Sequence, residues 1–320
     1  MSRGRLTEHR STRDTATPGE PTARQGKKGG DRFVELSNLD KAFFPDAGLS
    51  KGDVVDHYRR VAAEMVPHLA GRPLTMRRYP DGIDGGGFFQ KDASGHFPDW
   101  LRVETVPQRQ GGTIHHVVCD DKDTLVYLAN QATIEFHIWL STMEDLEHPD
   151  RLVIDIDPPA GVPVTALRDI ARKLATRYRE VGLTPYVQAT GGRGFHVVAP
   201  LDREADFEQA KELSVALADQ VAAQDPGLLT TAQRKNKRGG RIFLDVNRNA
   251  YGQTFVAPYT LRARPSAGVA TPLTWDELSR AKPDGFTPDR IRRRRRKDPW
   301  SGMSAHAASA LTARKALGIG

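Results

Sequence analysis

The chain has 320 residues, 38% of them apolar and 27% charged, and its 47 Lys and Arg against 40 Asp and Glu leave a formal charge of +7. That length can bury a sizeable core, and the basic excess favours a polyanionic partner. Cys119 is the only cysteine, which excludes an internal disulfide and a cysteine-rich zinc site. No apolar run approaches the roughly 18 residues of a membrane span, and no secretory segment opens the chain, so a reducing cytoplasm and no membrane partner are expected.

Residues 1 to 30 are rich in Ser, Thr, Arg, Gly and Pro and read as a disordered, mildly basic tail. Structure is expected to begin near residues 31 to 33. Ser50 is placed to cap a helix with Asp53 at its third position and an apolar face of Val54, Val55, Tyr58, Val61 and Ala62. Lys51 falls in the first turn, where a cation opposes the helix dipole unless it meets an anion, and Lys41 could join it across the preceding loop. Residues 71 to 100 carry Arg72, Arg77 and Arg78 and then Phe88 and Phe89, basic groups beside adjacent aromatics that suit a nucleic-acid surface. Neighbours on a strand face opposite ways, so at least one of the two rings is expected in the core. Thr124 to His137 has apolar residues at helical spacing, with Asn130 and His137 as its polar points.

The segment Arg151-Leu-Val-Ile-Asp-Ile-Asp-Pro-Pro159 organises the rest. Its β-branched residues and following prolines predict a short strand, on which Asp155 and Asp157 share a face with Cα atoms about 6.6 Å apart. Such carboxylates can share one divalent ion or clamp two roughly 3.5–4 Å apart. A helix from Pro163 to Glu180 and a strand from Thr184 to Ala189 follow, then Thr190-Gly-Gly-Arg-Gly-Phe-His196. Its three glycines let backbone approach an anion, with donors from Thr190, Arg193 and His196, although it is neither a Walker A loop nor G-x-G-x-x-G. After a helix over Asp206 to Ala223, five basic residues in Gln233 to Arg241 lead into the strand Ile242 to Val246, which holds a third acid, Asp245. Basic loops feeding acidic strands suit phosphoryl transfer, in which cations hold polyphosphate while carboxylates hold metal. Lys282-Pro-Asp-Gly285 matches the pattern of covalent nucleotidyltransferases, but too little chain follows it for that chemistry. Residues 299 to 320 read as a loosely held helix or a disordered tail.

Three acids on strands, a glycine loop ending in His and intervening basic loops resemble the archaeo-eukaryotic primase superfamily, and more narrowly the polymerase domain of bacterial ATP-dependent DNA ligase D, over about residues 33 to 298. The resemblance implies an α+β fold with a central β-sheet core and flanking helices, built from an N-terminal module (about 31–148) and a recognition-motif-like catalytic module (149–298). It implies that Asp155, Asp157 and Asp245 are the catalytic metal ligands of a two-metal site for manganese or magnesium. Thr190, Arg193 and His196 match the triphosphate loop, where relatives usually carry Ser and Lys at the first two positions. Arg77, His137, Arg238 and Arg262 match further nucleotide-site positions, Phe88 and Phe89 the pair that packs on bases, and Lys41 and Lys51 the grip on a 5′-phosphate across a gap.

The activity so implied is primer- and template-dependent nucleotidyl transfer from nucleoside triphosphates, with a preference for ribonucleotides, at gapped or broken DNA in non-homologous end joining. Ku and a separate ligase are the implied partners of a stand-alone, nucleoid-associated chain. Two alternatives stand beside it: a DNA-end-binding scaffold with vestigial activity, and a different metal-dependent phosphotransferase such as a nuclease.

Overall fold

The computed structural model describes residues 34–294 and 297–319, so the expected N-terminal tail lies outside the described residues. The chain opens with β1 (Ala42–Phe44) and β2 (Leu49–Ser50), a small antiparallel pair that delivers Ser50 to the start of α1 (Lys51–Leu69). Ser50 accepts from the Asp53 amide while the Asp53 carboxylate accepts from the Ser50 amide, the reciprocal cap the sequence predicts.

A four-stranded sheet comes next in the chain. It is built from β3 (Leu74–Arg78), the edge strand β4 (Phe88–Gln90), and, after the hairpin β5 (Val103–Pro107) and β6 (Thr113–Val117) and the helix α2 (Lys122–Asn130), from β7 (Thr133–Trp139). The helix expected over Thr124 to His137 therefore stops at Asn130. Ala132 takes a left-handed φ of 63°, which turns the chain, and Ile134, Phe136 and Ile138 are then buried at every second position. That period of two is a strand signal, and it places Glu135 and His137 together on the other face.

The six-stranded sheet begins with β8 (Arg151–Asp157), followed by α3 (Val164–Glu180), β9 (Tyr186–Ala189), β10 (Phe195–Pro200), α4 (Phe207–Ala223), β11 (Leu229–Thr230) and β12 (Ile242–Asp245). The strand β13 (Thr254–Val256) joins the four-stranded sheet beside β7, and β14 (Thr271–Leu273) closes the six-stranded one, whose order is β11-β12-β8-β10-β9-β14. Helices α3 and α4 pack against β8 and β10, leaving the Asp155 side of β8 to the four-stranded sheet. Phe255 of β13 meets the His196 ring edge-on at 5.9 Å between centroids.

Short helices α5 (Trp275–Leu278) and α6 (Pro288–Arg293) precede the C-terminal stretch, which is not a loose tail. Trp300 is 1% exposed within the core, Asp298 is paired with His68 of α1 at 2.6 Å, and α7 (Ala310–Ala316) packs on α4. Its apolar residues are mostly small, and Trp300, Met303, Ala310 and Ala313 are all buried. Among the described residues no helix is long and apolar enough to cross a membrane.

Candidate active site

The antiparallel register sets Asp245 of β12 opposite Asp155 of β8, and Asp155 opposite His196 of β10. Directly opposed residues project to the same face, so the three side chains form a row across adjacent strands, with Asp157 two residues along from Asp155. Over Asp155, Asp157 and His196 lies a cleft of about 340 Å³ whose other wall comes from the four-stranded sheet: Arg77, Phe89, Glu135 and His137; Asp245 stands just outside its lining.

The loop between β9 and β10 is held by its own backbone. Thr190 Oγ1 donates to the Gly194 carbonyl at 2.9 Å and accepts from the Gly192 and Gly194 amides, so its hydroxyl shapes the loop rather than standing free as a donor. A Cβ on Gly194 would lie 1.8 Å from the Ile156 carbonyl oxygen, and one on Gly191, which sits at φ 66°, would lie 2.8 Å from Arg262 Cγ and from the Val269 backbone. Glycine is required at both positions by close approach. His196 is 3% exposed, with Nε2 3.5 Å from Asp155 and Nδ1 buried without a partner.

Each acid is neutralised from within the chain. Arg193 Nη2 donates to Asp157 at 3.0 Å, and Arg238, lying over the Phe243 ring at 3.7 Å, reaches the other Asp157 oxygen at 3.6 Å. Asp245 accepts from the Asn247 amide and side chain and has Arg248 3.8 Å away. Burial works against the Asp155 carboxylate, but the His196 ring, Arg248 and Arg262 outweigh it and hold the group below its usual range. Three carboxylates on one sheet face are an all-oxygen donor set of the kind that suits magnesium or manganese. As the side chains stand, no three His, Cys, Asp or Glu among the described residues converge on one point. The pair on Asp157 is weak. Arg193 and Asp157 are 55% and 37% exposed, and such pairs contribute little in water.

Glu135 is the organising residue that the sequence did not single out. It is 2% exposed and accepts from the Ala263 amide at 2.9 Å and from His137 Nε2 at 3.1 Å, with Arg262 Nε at 3.3 Å and Arg77 Nη1 at 3.7 Å. Burial pushes the carboxyl up, but His137, Arg262 and the Ala263 amide overcome this and hold it far below the carboxylate range. Arg262 donates in turn to the Thr190 carbonyl at 2.9 Å, tying the two walls together. Arg248 and Arg264 also line the cleft. The signals were there: Glu135 stands two residues before His137 on a strand, Arg248 three after Asp245, and Arg264 two after Arg262.

The two aromatics depart from expectation. Phe88 and Phe89 are both exposed, 48% and 60%, because β4 is a short edge strand. Arg78 and Arg77 lie over their rings at 5.7 and 5.3 Å. Arg72, by contrast, is a buried structural residue bidentate to Asp150. Lys41 pairs with Asp81 at 2.6 Å, and Lys51 is buried with Nζ on the Ser37 carbonyl at 2.7 Å. The Lys51 amide donates to the Lys41 carbonyl, so the two lysines are neighbours, and burial together with the Lys41 charge pushes the Lys51 amine down.

Comparison with known families matches residues 50–300 to the LigD primase-polymerase domain. The chain is 35% identical over 248 residues to the multifunctional non-homologous end joining protein LigD of Mycolicibacterium smegmatis, covering 77% of this chain and 32% of that protein. It is 31% identical over 260 residues to the bifunctional LigD of Bacillus subtilis, covering 81% of this chain and 42% of the other. The chain thus spans about a third of the length of the mycobacterial relatives it matches. Among solved structures, the polymerase domain of Mycobacterium tuberculosis ligase D in complex with DNA superposes with a TM-score of 0.79 at 32% identity, covering 87% of this chain and all of that one.

Proposed function

The chain belongs to the LigD primase-polymerase family, and on that premise we propose that its cleft extends a primer opposite a template at gaps or broken ends carrying a downstream 5′-phosphate. Membership of the family makes it a DNA-directed nucleotidyltransferase that uses nucleoside triphosphates and depends on a divalent metal. The observation that carries the proposal is the row of Asp245, Asp155 and His196 across three adjacent strands, beside a glycine loop ringed by arginines.

In this mechanism Asp155, Asp157 and Asp245 would hold two divalent ions, manganese by preference. When bound, such ions lower the pKa of the primer hydroxyl and neutralise charge on the departing pyrophosphate. Arg193, Arg238 and Arg248 each rest on one of these acids and would turn to the phosphate oxygens of an entering triphosphate, leaving the carboxylates open. His196 and Arg262 neutralise further phosphate charge, and Arg77 and His137, set by Glu135, position the nucleotide. Phe88 and Phe89 stack on bases, and Lys41 and Lys51 hold the 5′-phosphate beyond the gap. The names of the relatives point to non-homologous end joining. Ku and a separate ligase as partners, a place at the nucleoid and ribonucleotides as preferred substrates complete the proposal.

The test is primer extension on a gapped duplex with a downstream 5′-phosphate, comparing ribonucleotides with deoxyribonucleotides and manganese with magnesium, for the wild type and Asp155→Ala. Extension lost in the variant, with gap binding kept, is the expected result. Extension retained by Asp155→Ala would remove the metal assignment, and tight gap binding without extension by the wild type would make the chain an end-binding scaffold.

A further inference from the structure

A second cleft, of about 600 Å³, opens between α1, the beginning of β8 and the chain around Trp300. Arg151, the first residue of β8, is 5% exposed in its wall, and its Nη1 is enclosed without a hydrogen-bond partner among the described residues. The Nε of neighbouring Arg72, 4% exposed, is likewise unpartnered. The nearby buried carboxylates are already committed. Asp150 is bidentate to Arg72 at 2.8 and 2.5 Å, and Asp298 accepts from His68, the Tyr259 hydroxyl and the Trp300 amide. Arg203 and Lys297 also line the cleft, as do Glu64 and Asp202, and Arg203 has only loose pairs with Glu144 at 3.4 Å and Asp150 at 3.7 Å.

A guanidinium removed from water without a hydrogen-bonded counter-ion is strongly unfavourable, and a cavity of this size beside it offers room for one. Asp150 and Asp298 lend negative charge to Arg151 from a distance but no hydrogen bond to its Nη1. We propose that this cleft binds a phosphate oxyanion, with Arg151 as its inner ligand and Arg203 and Lys297 at its mouth. The planar fork of arginine matches a tetrahedral oxyanion, and phosphate is the anion carried by nucleotides, pyrophosphate and nucleic acid alike. The cleft is separate from the catalytic row. Arg151 lies four residues from Asp155, about 13 Å along the strand, and the Phe255 ring stands between, 5.9 Å from the Arg151 guanidinium and from the His196 ring.

Isothermal titration of the full chain with inorganic phosphate at constant ionic strength tests this. The variants are Arg203→Ala, Arg151→Met and, to separate the catalytic loop, Arg193→Ala. Arg203→Ala is expected to weaken phosphate binding about tenfold or more while leaving primer extension unchanged, and Arg193→Ala to leave this binding in place. Displacement of the phosphate by an oligodeoxynucleotide lacking terminal phosphates would identify a phosphodiester as the source, and failure to displace it a free anion. Equal binding by the wild type and Arg203→Ala, or loss only in Arg193→Ala, overturns the proposal. Should Arg151→Met not fold, Arg203→Ala at the rim still decides.

Discussion

Replacing Glu135 with Gln keeps the shape and the acceptor for the Ala263 amide but removes the charge beneath Arg77, His137 and Arg262. A hydrogen bond to a charged group contributes about 1.5–3 kcal/mol net, and breaking one side of a buried ion pair costs about 3–5 kcal/mol. With one of its bonds preserved, Glu135→Gln is expected to lose about 2–4 kcal/mol of stability, or about 3–6 °C in Tm for a chain of this length. The sign of the pH dependence follows from the depressed carboxyl. Its contribution is complete above the unfolded value of 4.5 and is lost only as pH falls through the lower folded value, so the gap between wild type and variant narrows on acidification below 4.5. Urea unfolding at several pH values measures the first effect, and steady-state extension the second. The KM for nucleotide should rise about tenfold, an effect of about 1.4 kcal/mol, with a smaller change in kcat because Asp155, Asp157 and Asp245, the acids proposed to hold metal, are untouched. Stability within about 0.5 kcal/mol of wild type and an unchanged KM would refute the role assigned to this carboxylate.

Phe88→Ala and Phe89→Ala should leave thermal stability within about 0.5 kcal/mol, since both rings are exposed, while weakening DNA binding by about 1–3 kcal/mol each in a fluorescence anisotropy titration. Lys41→Ala should erase the preference for phosphorylated over hydroxyl-ended gaps at little cost in stability, because its pairing with Asp81 is exposed; an unchanged preference would return it to an ordinary surface lysine. Trp300→Ala should cost about 3–5 kcal/mol in denaturant unfolding, as expected for a fully buried ring in a packed core.

Much of the site was legible because strand chemistry is local. Val153, Ile154 and Ile156 announce a strand, and alternation alone puts Asp155 and Asp157 on one side of it. The alignment of Asp245 and His196 with Asp155 is a matter of register between strands as much as 90 residues apart in the chain, which no local pattern encodes, and only the family resemblance brought them together. The helix misassigned across Asn130 shows the limit from the other side. Leu125, Leu128 and Ala129 obey helical spacing, Ile134, Phe136 and Ile138 obey strand spacing, and the turn between them uses an alanine in a left-handed conformation, which carries no glycine or proline signal. The exposure of Phe88 and Phe89 depends on where β4 sits in its sheet, and the burial of Trp300 on contacts with distant α1 and β9, so neither could be read from neighbouring residues.

The fit of Gly194 against the Ile156 carbonyl has a consequence for how this loop can diversify. Backbone contact, with no room for a single added carbon, fixes the loop against the strand that carries the acids. Thr190 is bound into that frame through its hydroxyl, whereas the exposed Arg193 side chain can be exchanged without moving the loop. The position of the loop and the charge it displays are thus separately tunable traits, the first anchored by an absence of atoms and the second left to substitution at residue 193.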